Sequence, residues 1–311
     1  MKDRKDIKSE NNRGDWSISL KNLTKKYDEE IVVNNISLKI KRGEIFGLLG
    51  PNGSGKSTIL KLRMAIIRPT AGIIDFSIEG NNREVWEKIS YLGENYSLYP
   101  YMTSAEVLDL AAKLYSDVEL EWGKKLLEGF SIPMDKKIKY LSRGMKQQVK
   151  LIQSLLNKGK IIILDEPTTG LDIMVKKQIL DLIKELNNTG KTVIFSSHNM
   201  YEVESIADRV GFIKNGVFLA VEDVDDLPER KKRIEFVPQT DIEEEELITS
   251  GVTGIKRKGD KYYIYYDQNE GDILGRLSQI PYFTLNIEKP DLEEIFIQVI
   301  GGDNGAAKKR D

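Results

Sequence analysis

The sequence predicts an α/β fold with a mostly parallel sheet, followed by a smaller α+β domain. Short apolar strands alternate with helical patterns from Ile18 to about Ala220, which is the rhythm of a parallel sheet covered by helices. A charged stretch at 223–233 then separates this region from a tail with a different rhythm. The length of 311 residues, with 40% hydrophobic content, suits two domains with packed cores.

The elements of the first region, 16–222, follow in a regular order. Strands are predicted at Ile31–Ile40 and Glu44–Leu49, and a helix follows at Ser57–Ile67. From Thr103 to Leu156 the pattern is helical without a strong strand signal, so we expect a helical insertion at about 95–157. Strand patterns then return and enclose one amphipathic helix; the strands are Lys160–Leu164, Thr192–Ser196 and Val210–Ile213, and the helix is Lys176–Asn187.

The tail, 234–302, follows the order β-α-β-β-α-β, which predicts a ferredoxin-like domain. Its strands are predicted at Ile234–Val237, Ile255–Lys258, Tyr262–Tyr266 and Phe283–Ile287, and its helices at Asp241–Ser250 and Asp272–Gln279. A last helix, Asp291–Ile300, is expected because proline precedes it and two glycines follow it. The polar ends, 1–15 and 303–311, are predicted to be disordered.

Composition argues against several classes of function. The chain has no cysteine, which excludes disulfides, thiolate metal sites and cysteine nucleophiles. No apolar run approaches the roughly 20 residues that span a bilayer, and the polar N-terminal segment lacks the features of a signal peptide. A membrane role is therefore expected to come through a partner. The net charge of −2 gives no overall attraction to polyanions, so nucleic acid is not an expected partner.

Residues Gly50–Ser57 match the phosphate-binding pattern G-x-x-x-x-G-K-[ST], between an apolar strand and a helix. Glycines let backbone N–H groups close around phosphate oxygens, and the helix N-terminus adds its positive end. We expect Lys56 to reach the β- and γ-phosphates and Ser57 to bind Mg²⁺. An ordinary glycine-rich turn would not explain the complete pattern in this position. The residues predicted to bind nucleotide here are Asn52, Gly53, Ser54, Gly55, Lys56, Ser57 and Thr58.

Two carboxylates, Asp165 and Glu166, directly follow the apolar strand that ends at Leu164. The carboxyl ends of parallel strands form the ligand crevice of such a sheet, so both acids are expected to face the phosphates. We expect Asp165 to hold Mg²⁺ and Glu166 to orient or deprotonate the attacking water. An N-cap acid before a helix is the alternative, but it does not explain two acids together with a phosphate loop.

A helix with a polar start is predicted between these motifs at Leu141–Gln148, which reads L-S-R-G-M-K-Q-Q. Ser142 is a natural N-cap, and the small Gly144 permits close approach of an anion. Alone, this is an ordinary helix cap. Between a phosphate loop and paired acids, it resembles the signature motif L-S-G-G-Q of the ABC ATPases. From about Ile18 to Ala220 the chain is similar to these ATPases, with their motifs in the same order.

The resemblance implies roles for further residues. Tyr27 matches the aromatic residue that stacks on adenine, and Asp172 belongs to the loop that crosses to a second subunit. His198, the only histidine, matches the residue that contacts the γ-phosphate and joins Glu166 as a catalytic candidate. A surface tyrosine and a structural histidine are the alternative interpretations.

The resemblance also implies cofactors, partners and location. ATP and Mg²⁺ would lie between two ATPase subunits, either a homodimer or this chain with an equivalent second subunit. Ser142 and Gly144 of one chain would cap the γ-phosphate held by the other. Closing and opening of this dimer would drive a separate transmembrane permease subunit, placing the chain in the cytoplasm at the inner face of the cell membrane. We therefore expect an ATP-hydrolysing motor subunit of an ABC transporter.

Three positions depart from the family pattern. Arg143 replaces a glycine and Met145 a glutamine of the signature motif. Glu94 stands where most members have the glutamine that senses Mg²⁺ and the membrane subunit, and we count it among the metal candidates because a carboxylate can bind the metal or its water. With Leu292–Phe296, these departures resemble the exporter branch whose ATPases pair with separate ABC-2-type membrane subunits.

Three tyrosines, Tyr96, Tyr99 and Tyr101, follow Glu94 in the region where this family receives the coupling helix of the membrane subunit. Partly buried aromatic residues without a partner are the alternative, since surface aromatics need not form an interface.

A soluble ABC ATPase acting on nucleic acid, ribosomes or iron–sulfur assembly is the alternative function. The chain has one cassette, no long heptad run and no basic tract larger than Lys231–Arg233, and these features disfavour that alternative. A guanine-nucleotide switch protein is disfavoured because no N-K-x-D motif follows the paired acids.

Overall fold

The computed structural model describes residues 15–64, 66–78, 82–94, 96–115, 117–226, 232–266 and 270–288. The last predicted helix, Asp291–Ile300, and nearly all of both predicted disordered ends lie outside these residues. By its internal contacts the chain divides into two compact units. One unit contains described residues from 1–44 and 57–194, and the other contains those from 45–56 and 195–311.

Regular elements follow one another closely along the described chain. The strands are β1 Trp16–Tyr27, β2 Glu30–Lys41, β3 Ile45–Leu49, β4 Ala71–Phe76, β5 Ile89–Leu92, β6 Ile161–Asp165, β7 Thr192–Ser197, β8 Arg209–Lys214, β9 Val217–Asp223, β10 Lys232–Pro238, β11 Val252–Lys258, β12 Lys261–Tyr266 and β13 Tyr282–Glu288. The α-helices are α1 Lys56–Arg63, α2 Asn82–Glu87, α3 Ser104–Leu114, α4 Leu120–Gly129, α5 Arg143–Leu155, α6 Ile173–Asn188, α7 Met200–Ile206 and α8 Glu270–Leu277, and 3-10 turns lie at Ile138–Tyr140 and Glu244–Leu247.

The first unit contains two kinds of sheet. Strands β2, β1 and β4 form an antiparallel sheet in that order, while β5 and β6 pair in parallel. Strand β6 is buried along its whole length, which explains its continuous run of isoleucine and leucine. The strand predicted at Lys160–Leu164 is confirmed as β6, and the parallel register brings the carboxyl ends of β5 and β6 to the same edge.

The predicted helical insertion is confirmed by α3, α4 and α5, which have their own apolar core. Thr103 caps α3 with a complete capping box to Glu106, so the start of this helix is fixed by local sequence. The buried core residues of this region are Val107, Leu108, Ala111, Leu127, Ile132, Ile138, Leu141, Val149, Ile152 and Leu156.

In the second unit, β3 and β8 pair in parallel and β9 adds to β8 in antiparallel orientation. Helix α7 packs against β3 at Gly47, where an added Cβ would lie 2.6 Å from Val203 Cγ1. The Ile45 amide at the start of β3 donates a 2.7 Å hydrogen bond to Asp208 Oδ2. The strand that leads into the phosphate loop is therefore held by α7 and by Asp208, two residues beyond the end of α7.

The tail forms a four-stranded antiparallel sheet in the order β11-β12-β10-β13. Strand β12 lies between β10 and β11, which is the strand order of a ferredoxin-like domain. The predicted helix Asp241–Ser250 is wrong, because only a 3-10 turn at Glu244–Leu247 forms there. The second predicted helix is present as α8, shifted toward the N-terminus.

Candidate functional site

The phosphate loop joins β3 to α1. Gly53 and Gly55 have positive φ angles of 78° and 105°, a region that favours glycine. An added Cβ at Gly50 would lie 2.3 Å from a backbone oxygen of β8, so this position has no room for a side chain. The buried Lys56 donates hydrogen bonds from Nζ to the carbonyl oxygens of Gly50 at 2.7 Å and Pro51 at 3.2 Å. The loop is thus closed around its own lysine.

The other predicted residues of this loop differ in their exposure. Asn52 and Gly53 are exposed, whereas Ser54 and Gly55 are buried, and the Ser54 amide donates a 3.2 Å hydrogen bond back to Pro51. Thr58 lies half-buried in the first turn of α1. The exposed rim and the tight turn leave backbone groups near the helix N-terminus, where an anion binds favourably.

Ser57 and Asp165 are brought together across a long stretch of sequence. Ser57 Oγ donates a 3.1 Å hydrogen bond to Asp165 Oδ1, and Asp165 is fully buried at the end of β6. Hydroxyl and carboxylate oxygens are ligands that Mg²⁺ prefers. The donor set at this point therefore fits the predicted metal.

Glu166 follows β6 in a left-handed conformation with φ of 49°. Among the described non-glycine residues, the others with positive φ are asparagine, aspartate or serine, so Glu166 is the one long side chain held in this region. Thr169 Oγ1 donates a 3.0 Å hydrogen bond to Glu166 Oε2, and the Thr169 amide donates to the Glu166 carbonyl. Backbone strain of this kind often marks functional residues.

Glu94 is exposed just beyond β5, whereas Tyr91, within that strand, is half-buried. Burial, followed by the nearby carboxylates of Asp165 and Glu94, raises the pKa of the Tyr91 hydroxyl to about 12. Sequence reasoning did not identify Tyr91, although it stands three residues before Glu94. Its phenol lies within electrostatic reach of two predicted metal residues.

The signature segment packs against the loop before α6. Ser142 caps α5 by accepting a 3.1 Å hydrogen bond from the Met145 amide, as predicted for an N-cap. An added Cβ at Gly144 would lie 3.4 Å from a side-chain carbon of Leu171, and one at Gly170 would lie 3.3 Å from Arg143 Nε. The arginine that replaces a signature glycine therefore covers the neighbouring loop of its own chain.

Three other candidate residues have defined local settings. Asp172 caps α6, with Oδ1 accepting a 3.0 Å hydrogen bond from the Val175 amide. Tyr27 ends β1 with 43% of its surface exposed, and Lys25 Nζ lies 4.7 Å from its ring centroid. His198 is exposed directly after the buried strand β7. The roles of these three residues at the nucleotide stay predictions.

The predicted coupling tyrosines are exposed to different extents. Tyr96 is 40% exposed and donates a 3.0 Å hydrogen bond to Gln153 of α5, while Tyr99 and Tyr101 are 59% and 73% exposed. Lys139 Nζ lies 5.1 Å from the Tyr101 ring centroid. Within the part of the chain that the structure describes, no helix is both long and apolar enough to cross a bilayer.

Comparison with known proteins identifies the family. The family model described as "ABC transporter" matches residues 33–169. The ATP-binding protein YtrB of Bacillus subtilis (strain 168) is 30% identical, with 92% of this chain and 98% of that protein covered. The linearmycin resistance ATP-binding protein LnrL of the same strain is also 30% identical, with 91% and 98% covered.

A solved structure gives the same result for the fold. The dimeric post-hydrolysis state of the ATP-binding cassette MJ0796 bound to ADP and Pi has a TM-score of 0.60 and 28% identity, and the match covers 67% of this chain and 98% of that one. Family, relatives and fold all agree with the motifs around Ser57 and Asp165. The chain belongs to the ATP-binding subunits of ABC transporters, which bind and hydrolyse ATP.

Proposed function

We propose that this chain hydrolyses ATP with Mg²⁺ between two ATPase subunits and so drives an exporting permease at the inner face of the cell membrane. The observation that carries the proposal is the 3.1 Å hydrogen bond between Ser57 and Asp165. It joins the phosphate-binding helix to the strand end that presents Glu166 in a strained conformation.

The residues divide the chemistry among them. Ser57 and Asp165 would hold Mg²⁺, and Glu94 is a further candidate to bind the ion or its water. When bound, the metal ion neutralises charge on the phosphate oxygens. Glu166 orients or deprotonates the attacking water, and the hydrogen bond from Thr169 fixes the carboxylate that does so.

Two observations support the proposed dimer. Ser142 and Gly144 are held at the start of α5 and would cap the γ-phosphate bound by the partner subunit. The MJ0796 cassette is described as dimeric. The name of LnrL refers to resistance to linearmycin, and that role supports export as the direction of transport.

Replacing Glu166 with glutamine tests this assignment. We expect turnover to fall by about 100-fold or more, because a general base contributes at least that much, while ATP binding persists and an ATP-bound dimer accumulates. Glu185→Gln on the exposed face of α6 is the matched control and should behave as wild type. Turnover and gel filtration with MgATP are the measurements. Wild-type turnover in E166Q, or monomers alone, would refute the role of Glu166.

A further inference from the structure

We propose that Glu202 is a positioning residue for hydrolysis, and that it acts through Ser197 to hold the segment around His198. The inference rests on the proposed function and on the contact of His198 with the γ-phosphate that the family resemblance implies. Neither Ser197 nor Glu202 was singled out as a site residue from the sequence, since neither matches a phosphate-binding or metal-binding pattern.

The hydroxyl group of Ser197, which precedes His198, makes hydrogen bonds to two nearby residues. Ser197 Oγ donates a 2.7 Å hydrogen bond to Glu202 Oε2 and accepts a 2.9 Å hydrogen bond from the Asn199 amide. Ser197 is 1% exposed, whereas His198 is exposed. The exposed histidine is therefore held between two fixed neighbours.

The burial of Glu202 indicates a specific role. Glu202 is 5% exposed on α7, and a buried carboxylate is costly unless it is hydrogen-bonded. The helix does not need this residue as a cap, because Asn199 Oδ1 already accepts the amide hydrogen of Tyr201 at 2.9 Å. An exposed acid would serve equally well beside the positive end of the helix. Helix capping therefore does not account for the burial of Glu202 against Ser197, whereas a positioning role does.

Helix α7 also connects this carboxylate to the phosphate loop. The contact of Val203 with Gly47 seats α7 on β3, and β3 leads directly into the loop at Gly50. Glu202 is the preceding residue on the same helix. These two contacts of α7 therefore fix the position of the His198 segment relative to β3, the strand that precedes the phosphate loop. Such a constraint matters because a small displacement of a catalytic group can greatly lower the rate.

The test compares two substitutions of similar size. Glu202→Gln keeps an oxygen that can accept the Ser197 hydrogen bond, whereas Glu202→Leu keeps the volume and removes the acceptor. We expect E202L to lower kcat by about tenfold or more with ATP affinity changed less than about twofold, and E202Q to stay within about threefold of wild type. Glu204→Gln, on the exposed side of α7, is the matched control and should leave kcat unchanged.

A double-mutant cycle separates positioning from a general effect on folding. If Glu202 acts through the histidine, E202L should lower kcat no further in a His198→Ala background. Multiplicative effects of E202L and H198A, or a loss in E204Q as large as in E202L, would overturn the inference. If E202L does not fold, Ser197→Ala removes the same hydrogen bond and is carried through the same cycle.

The outcomes also distinguish this inference from the proposed function. Loss of turnover in E166Q and H198A together with a multiplicative cycle would leave the proposed function standing and reject only the role of Glu202. Wild-type turnover in H198A would reject the role of His198 itself, and with it the inference. Wild-type turnover in E166Q would reject Glu166 as the base. The role of Glu202 would then still be decided by the double-mutant cycle of E202L and H198A.

Discussion

At the scale of single residues, Tyr91 offers a test by pH. The pKa of its hydroxyl is raised from 10.0 to about 12 by burial first and then by Asp165 and Glu94. Because the folded protein favours the protonated phenol, its contribution to stability is complete below pH 10 and is lost as the pH rises toward 12. We expect Tyr91→Phe to reduce the fall in Tm across this pH range, as measured by thermal unfolding. The same substitution at Tyr201, which is 80% exposed, is the control. An equal fall in Tm with pH for Y91F and wild type would contradict the raised pKa of Tyr91.

Glu94→Gln tests whether the departure from the family glutamine concerns the metal. The carboxylate should attract Mg²⁺, although it also repels the γ-phosphate, and we expect attraction to dominate because the divalent charge would lie between the two. The mutant should need more Mg²⁺ for half-maximal ATPase activity, with turnover at saturating Mg²⁺ changing less than in E166Q. Glu121→Gln, whose side chain is 81% exposed on α4, controls for the loss of one charge. Superimposed titrations of E94Q and wild type would remove Glu94 from the metal site.

The sequence indicates candidate residues of this site more readily than the contacts among them. A spacing pattern identifies Ser57 and Asp165 because loop and strand end have fixed geometry, and their hydrogen bond is where the pattern implies. Tyr91 and Glu202 carry no such pattern, since their importance arises from burial and from which segments fold beside them. The strain at Glu166 is likewise a property of the folded backbone.

At the scale of elements, the packing of α7 against β3 depends on the absence of a side chain at Gly47. Gly47→Ala would place a Cβ 2.6 Å from Val203 Cγ1, so we expect a loss of about 1–3 kcal/mol from overpacking. Urea denaturation measures this loss, and adding Val203→Ala should recover part of it. Gly129→Ala at the end of α4 meets nothing within 4 Å and should be neutral or stabilising by up to about 1 kcal/mol. A G47A protein as stable as G129A would show that the packing is looser than described.

Buried elements with a clear apolar pattern are predicted well, whereas an exposed strand held by backbone pairing is not. Strand β4, which has no clear apolar pattern, is largely exposed and held by backbone pairing with β1. The helix predicted at Asp241–Ser250 fails for a local reason. Its buried residues, Ile242 and Leu247, are five apart and lie on different helical faces, and Glu243–Glu246 places like charges together. A short 3-10 turn buries both residues and leaves the acids in solvent.

At the scale of the whole molecule, the matching structure and the matching sequence cover different lengths of this chain. The match to the MJ0796 cassette covers 67% of this chain, whereas the match to YtrB covers 92%. The alignment with YtrB must therefore include much of the tail. The tail has its own buried core, made of Ile234, Phe236, Ile242, Leu247, Tyr262, Ile264, Tyr266, Ile273, Leu277 and Ile280.

Truncation after Asp226 tests the division of labour between cassette and tail. This cut keeps β9 and the 2.8 Å hydrogen bond from the Val224 amide to the Asp208 carbonyl. Every residue that we assign to phosphate or metal lies before it, so ATP affinity should stay within about twofold of the full chain, measured by titration with a fluorescent ATP analogue.

A shorter truncation, after Lys214, is the matched control for the first cut. It removes β9 and leaves β8 without its antiparallel partner, so we expect loss of cooperative unfolding as followed by circular dichroism. A protein ending at Asp226 that folds but does not bind ATP would assign part of the nucleotide site to the tail. Normal ATP binding with altered dimer formation would instead indicate that the tail contributes to dimer assembly, because the phosphate loop would then be complete without the tail.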